Sequence, residues 1–285
     1  PGPGRDGRAH PELDRLMFRA GGVLFDVEPE EALTDAERLA LARLDDPGPE
    51  PAGAPFRIEL VPEPPWTSDD ASLFPRWEPA VQRWSEGRLL SSHRSFTAEI
   101  DPGGAWARLH RREERAYPLE AVIRTAMMAR LPLVGGLPLH AAGVIVDSRG
   151  VAFFGPSGAG KTTLAATSPH PVLSDELVAI APGDPLSLVR SGFWGEGRGP
   201  GRPSGAPLAA LVALDRGPAF TLTRLGAVDA VRSLVGSLPV PLAAPLWSRA
   251  LEVAAGATTR VPVYRMTWTP SEPPWARLAE TLRRR

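Results

Sequence analysis

The run Gly155-Pro156-Ser157-Gly158-Ala159-Gly160-Lys161-Thr162 has the residue types and spacing of a phosphate cradle, G-x-x-x-x-G-K-[ST]. Its glycines let the backbone curl so that successive N–H groups and a helix N-terminus face phosphate oxygens. Lys161 is spaced to reach the β- and γ-phosphates, Thr162 to offer its hydroxyl to Mg²⁺, and the nucleotide-binding stretch runs on to Thr163. Val151-Ala152-Phe153-Phe154 in front reads as a buried strand, and Thr162-Thr163-Leu164-Ala165-Ala166 behind opens a helix. A Gly-rich turn without a ligand is the competing reading, and the strand, loop and helix order favours the cradle.

Lys161 is the only lysine in the chain; every other basic residue is arginine. A lysine kept only here points to a task suited to a compact point charge on a flexible stem.

Asp175 and Glu176 follow the apolar Val172-Leu173, one short helix downstream of Lys161. Carboxylates at a strand end beside a phosphate cradle can hold Mg²⁺ or take a proton from an incoming hydroxyl, the two services phosphoryl transfer needs beyond the cradle. The alternative is a pair of solvated acids at a strand terminus. His140, in Leu139-His140-Ala141-Ala142-Gly143, falls on the strand before the cradle strand. On pattern alone such a histidine is more often a satisfied core residue than an active-site group.

The series His140, Val146-Asp147, Gly150, the cradle and Ser174-Asp175-Glu176 resembles, in order and interval, the catalytic core of HPr kinase/phosphorylase and its relatives, including kinases that modify ribosomally made peptides. The resemblance implies an active-site role for His140, a general-base role for Asp175 on an acceptor serine, and a helper role for Glu176 toward metal or phosphate. Glu176 stands where the family has a second Asp. Phe193-Trp194-Gly195-Glu196 also resembles a short motif of the kinase-like relatives, in which Glu196 would complete the Mg²⁺ shell; a Trp anchoring a loop explains it equally well. The likeness spans roughly residues 118 to 270 and is specific from 139 to 177. The Arg- and Asn-containing signature of HPr kinases proper has no match, and the N-terminal region differs from theirs, so the peptide- and small-molecule-directed relatives fit better.

The elements that must position these residues suggest an α/β fold: a P-loop domain with a mixed, hairpinned sheet over residues 116–285, preceded by a small β-rich N-terminal domain over 1–115. The opening to about Arg19 reads as loosely ordered, Gly22 to Val27 as a strand, and Thr34-Asp35-Ala36-Glu37 as a capping box into a helix ending at Leu44. Asp45 to Pro55 reads as a linker and Phe56 to Leu60 as a strand. Pro62 to Gly87 reads as turn-rich, with Trp66, Trp77 and Trp84 as small core ahead of the alternative, a wall of the substrate cleft, and Phe96 to Arg111 as a hairpin. Leu119, Val122, Ile123, Ala126 and Met127 share one helical face. Beyond them come strands at Leu139–Val146, Val151–Phe154, Val172–Asp175, Glu176–Ile180, Leu186–Val189, Leu208–Leu214, Thr221–Leu225 and Val261–Met266. Helices follow at Val228–Val235, Leu246–Ala254 and Trp275–Arg284. The Gly- and Arg-rich stretch from Gly192 to Gly205 is a candidate lid, with Arg198 and Arg202 closing over phosphates.

Across 285 residues, 43% apolar content supports a real core, and a net charge of −1 with no long basic run argues against nucleic-acid binding. No cysteine is present to build a disulfide or a thiolate site. With no spanning apolar run and no secretory pattern, the expected location is the cytoplasm, without a membrane partner. The leading expectation is therefore a kinase using ATP and Mg²⁺ on a serine-type hydroxyl of a peptide, small protein or small molecule. Two alternatives stay open: another P-loop NTPase, and a nucleotide-dependent sensor or peptide-binding module. A homo-oligomer and the choice of ATP or GTP are left open, because the cradle grips phosphates and not the base.

Overall fold

The structure is a computed structural model that describes residues 15–29, 32–46, 53–62, 80–112, 116–195, 204–241, 243–270 and 272–283. It is a mixed α/β arrangement of two mixed sheets. The first is built from β1 (Leu16–Ala20), β2 (Val23–Pro29), β3 (Phe56–Pro62), β4 (Val81–Ser85), β5 (Arg88–His93), β6 (Phe96–Asp101) and β7 (Trp106–Arg111), in the order β1-β2-β3-β7-β6-β5-β4. Strands β2, β3 and β7 run parallel, and the remaining pairs are antiparallel.

Alternation sorts the side chains of this sheet. Phe25, Val27, Phe56, Ile58, Leu60, Phe96, Ile100, Ala107 and Leu109 are buried. The other face carries cross-strand charge pairs, Arg108 Nε to Glu59 Oε2 at 2.8 Å and Arg57 Nε to Glu28 Oε1 at 3.4 Å. Helix α1 (Asp35–Leu44) starts at Thr34, whose hydroxyl accepts from the Glu37 amide while Glu37 Oε2 accepts from the Thr34 amide, so the capping box is made reciprocally. The other Glu37 oxygen is paired with Arg111, and both side chains are buried.

Helix α2 (Ala116–Leu133) joins the sheets. Leu119, Val122, Ile123, Ala126 and Met127 are all but fully buried, and the helix packs on β6, β7 and β2 and on the second sheet. That sheet has nine strands: β8 (Leu137–Leu139), β9 (Ala141–Val146), β10 (Arg149–Phe154), β11 (Val172–Ser174), β12 (Val178–Ala181), β13 (Ser187–Arg190), β14 (Gly205–Arg216), β15 (Thr221–Arg224) and β16 (Val263–Trp268). Its order is β11-β9-β10-β14-β13-β12-β8, with β16 beside β14 and β15 beside β16. The centre, β10-β14-β16, is parallel and the remaining pairs are antiparallel.

Both faces of that centre are covered, which is why its strands read as unbroken apolar runs. Ala152, Phe154, Leu211 and Ala213 point into the core shared with α2, α4 (Ala227–Val235) and α5 (Ala244–Arg260). Val151, Phe153, Val212 and Leu214 point into a second core closed by α3 (Lys161–Ala166) and α6 (Trp275–Arg283). The stretch after β13 is wedged against the first sheet. The Gly21 amide donates to Arg190 O at 3.1 Å, and Arg190 Nη2 donates to Asp45 O at 3.0 Å. A Cβ on Gly192 would come within 2.6 Å of Leu44 Cα.

Three sequence expectations change. Of the opening segment, residues 1–14 lie outside the described residues, and Leu16–Ala20, expected to be loose up to about Arg19, forms β1, whose Phe18 stacks on Phe25 at 5.3 Å. The end of the turn-rich stretch forms the β4–β5 hairpin, with Trp84 partly buried against the core; Trp66 and Trp77 lie outside the described residues. The single strand expected over Leu139–Val146 is two strands belonging to different partners, broken at His140. No helix among the described residues is long and apolar enough to cross a membrane.

Candidate nucleotide and phosphoryl-transfer site

Strand register gathers the candidate residues at one end of the second sheet. Phe154, the last residue before the Gly155–Thr162 loop, pairs with Ala141, so His140 and Gly155 leave the sheet side by side. Strand β11 runs antiparallel to β9 with Ser174 opposite Gly143, which carries Asp175 and Glu176 to the same end. The Ala141 amide donates to Glu176 O at 3.2 Å and the His140 amide to Ser237 O at 2.9 Å. Strands β14 and β16 end here too, and ligands of parallel α/β sheets gather at carboxyl ends of strands.

The loop geometry needs its glycines. Gly155 has φ +152°, and a Cβ there would stand 2.8 Å from the backbone oxygen of Leu214. Gly158 has φ +74°, and its Cβ would meet only the Nη2 end of Arg216, also at 2.8 Å. Gly155→Ala is therefore expected to cost about 2–3 kcal/mol, and Gly158→Ala, with a flexible neighbour, about 1 kcal/mol. Urea denaturation midpoints of the two variants check this order.

Pro156, Ser157 and Gly158 are exposed and Ala159 is buried, so the tip of the loop faces solvent over a packed base. The Lys161 side chain is nearly enclosed, and its ammonium donates to the carbonyls of Gly155 at 2.9 Å and Pro156 at 3.2 Å. Burial lowers the Lys161 pKa from the ordinary lysine value, against an opposing pull from the negative charge of Glu176. Thr162 and Thr163 open α3, the first half-buried and the second exposed.

Asp175 is 2% exposed, and its Oδ1 accepts the Gly195 amide at 3.0 Å. Ser174 holds that arrangement in place. Its hydroxyl donates to Phe193 O at 2.7 Å and accepts from the Glu176 and Leu177 amides at 3.0 and 3.1 Å. Glu176 is half-exposed; its Oε1 lies 3.8 Å from His140 Nδ1 and 3.6 Å from Arg124 Nη1. The turn at Ser174 thus aims one carboxylate inward and leaves its neighbour at the rim.

Glu196, Arg198 and Arg202 lie outside the described residues. Among the described residues, no group of three or more His, Asp or Glu side chains is gathered as for a metal cage. A hydroxyl and one or two carboxylates are nevertheless the donor set that suits Mg²⁺, which keeps several waters and shares its shell with substrate phosphates. Thr162 and Glu176 are the residues that would hold it.

Three residues at this end went unmarked in the sequence. Arg216, ending β14, donates to Gly158 O from Nη2 at 3.0 Å and Nε at 3.3 Å. Trp268, ending β16, lies against Gly160, where a Cβ would stand 3.4 Å from the indole. Both close strands that run parallel to β10, which is the signal that could have found them. Arg124 sits on α2, with its guanidinium carbon 4.6 Å from the centroid of the Phe193 ring.

No family model matches the chain, and no curated protein matches it. Among solved structures, it is similar to the Hpr(Ser) kinase/phosphatase from Coxiella burnetii, at 10% identity, over 52% of this chain and 88% of that one, with a TM-score of 0.28. At that score the likeness assigns the chain no family and no residue a role.

Proposed function

We propose that the protein is a phosphotransferase moving the γ-phosphoryl group of a nucleoside triphosphate, ATP in the first instance, to a serine-type hydroxyl on a peptide, small protein or small molecule. The observation that carries this is the convergence of the Gly155–Thr162 loop, buried Asp175 and rim-placed Glu176 at one sheet end. In this reading the loop amides and Lys161 hold the phosphates, and the acceptor oxygen attacks the γ-phosphorus in line. The bond from that phosphorus to the β–γ bridging oxygen breaks, and the nucleoside diphosphate leaves with the electron pair. The acceptor proton passes to the Asp175 carboxylate. Mg²⁺, when bound, neutralises charge on the phosphate oxygens. His140 stands beside Glu176 as an active-site partner. We also assign residues 1–115 to a β-rich N-terminal unit and 116–285 to the nucleotide-binding unit, with α2 as the joint between them.

A second reading is a nucleotide-dependent binding module without transfer. It is favoured by the near-complete enclosure of Asp175 and the Gly195 amide on one of its oxygens. The deciding experiment incubates the purified chain with γ-labelled ATP and Mg²⁺, alone and with a peptide and small-protein fraction of its source cells. Label on a discrete component is the expected result. Tight ATP binding with all label left on nucleotide would sink the phosphotransfer reading and leave the second.

A further inference from the structure

We propose that Arg124 is an anion-binding side chain of this site, donating to the non-bridging oxygens of the phosphoryl group in transit. The inference rests on the phosphotransfer reading above.

Arg124 is on α2, between the fully packed positions Ile123 and Ala126, where the helix reaches the rim of the site. Its guanidinium lies over the face of Phe193, the residue whose carbonyl accepts from Ser174 Oγ. Ring stacking holds the cation in place without using its N–H groups. Arg124 Nη1 is 3.6 Å from Glu176 Oε1, and His140 Nδ1 is 3.8 Å from the same oxygen. Both separations exceed the roughly 2.7–3.2 Å of an N–H···O hydrogen bond, so the Arg124 guanidinium faces Glu176 as a charge without committing its donors to it. Among the described residues, Arg124 makes no hydrogen bond. Its side chain is 38% exposed, and those of Glu176 and His140 are 31% and 41% exposed, so the cluster opens to solvent.

A further cation suits the charges gathered here. Asp175 and Glu176 bring two carboxylates to where a polyanion would react, and Lys161 and Arg216 lie on the side of the Gly155–Thr162 loop. A cation on the opposite element removes the repulsion, and a pre-placed fork of donors acts on developing charge without reorganising. A guanidinium fits this role better than an ammonium, because its planar fork matches two phosphoryl oxygens at once.

The test uses the full chain, the labelled-ATP transfer assay above, and calorimetric binding of Mg·ADP with and without aluminium fluoride. Arg124→Ala is expected to lower transfer about 10²-fold and to abolish the extra affinity aluminium fluoride gives, with ADP affinity and melting temperature unchanged. Arg124→Lys should recover little, and millimolar guanidinium should restore part of the Arg124→Ala rate. Unchanged transfer in Arg124→Ala overturns the inference alone. So does a loss that tracks ADP affinity and melting temperature, which is the mark of a packing role beside Phe193. A parent chain that moves no label and binds ADP no tighter with aluminium fluoride overturns the phosphotransfer reading, and this inference with it.

Discussion

Lys161→Met is expected to lower nucleotide turnover by about 10³-fold or more while leaving the chain folded and no less stable. Lys161 is buried, and among the described residues its ammonium donates to two loop carbonyls. A thioether of similar length fills the same space without desolvating a charge. Two measurements check this. Mg·ATP at about 100-fold over its dissociation constant should stabilise the parent by about 2.7 kcal/mol and the variant hardly at all. Stability against pH gives the second. Burial lowers the Lys161 pKa in the folded chain, so between the folded and unfolded values the unfolded state holds more protons. Parent stability therefore climbs with pH through that alkaline window, and the Met variant should lack the climb. A variant that binds Mg·ATP as well as the parent would remove Lys161 from the site.

Asp175→Asn is the second large effect, an expected loss of about 10³-fold in label transfer with nucleotide affinity kept. Asn has nearly the same shape, and its amide oxygen can still accept from the Gly195 N–H, so the turn at Ser174 and the fold should persist. What disappears is the capacity to take a proton. Glu176→Gln separates the two carboxylates: a residue that helps with metal should show its loss chiefly as a raised Mg²⁺ requirement. Equal transfer by Asp175→Asn and the parent would move the base elsewhere and favour the binding-module reading.

The strand, loop and helix around Gly155–Thr162 were legible because their geometry is local. Four fixed positions over eight residues, flanked by an apolar run and a helix start, specify a loop without reference to the rest of the chain. The strands of the second sheet were legible for a related reason, since burial on both faces leaves continuous apolar runs between turns. The misses are long-range. Leu16 to Ala20 holds one stack partner and one strand neighbour, and neither is visible from its own composition. His140 reads as part of one strand because Leu139 and Ala141 are both apolar; the pairing of β8 with β12 and β9 with β10 shows the break at His140. Arg124 and Phe193 are far apart in sequence, and nothing in either neighbourhood signals that one will stack on the other.

The wedging of the Arg190–Gly195 stretch has a consequence for how such proteins can be recombined. The amide that meets Asp175 comes from Gly195, and the chain leading to it is anchored on Gly21, Leu44 and Asp45 of the first sheet and its helix. A chimera joining residues 116–285 to a foreign amino-terminal segment would inherit the Gly155–Thr162 loop and both carboxylates. It would lose the abutment that sets where Gly195 stands. Replacing the first sheet is thus expected to disturb the second through a contact far from α2.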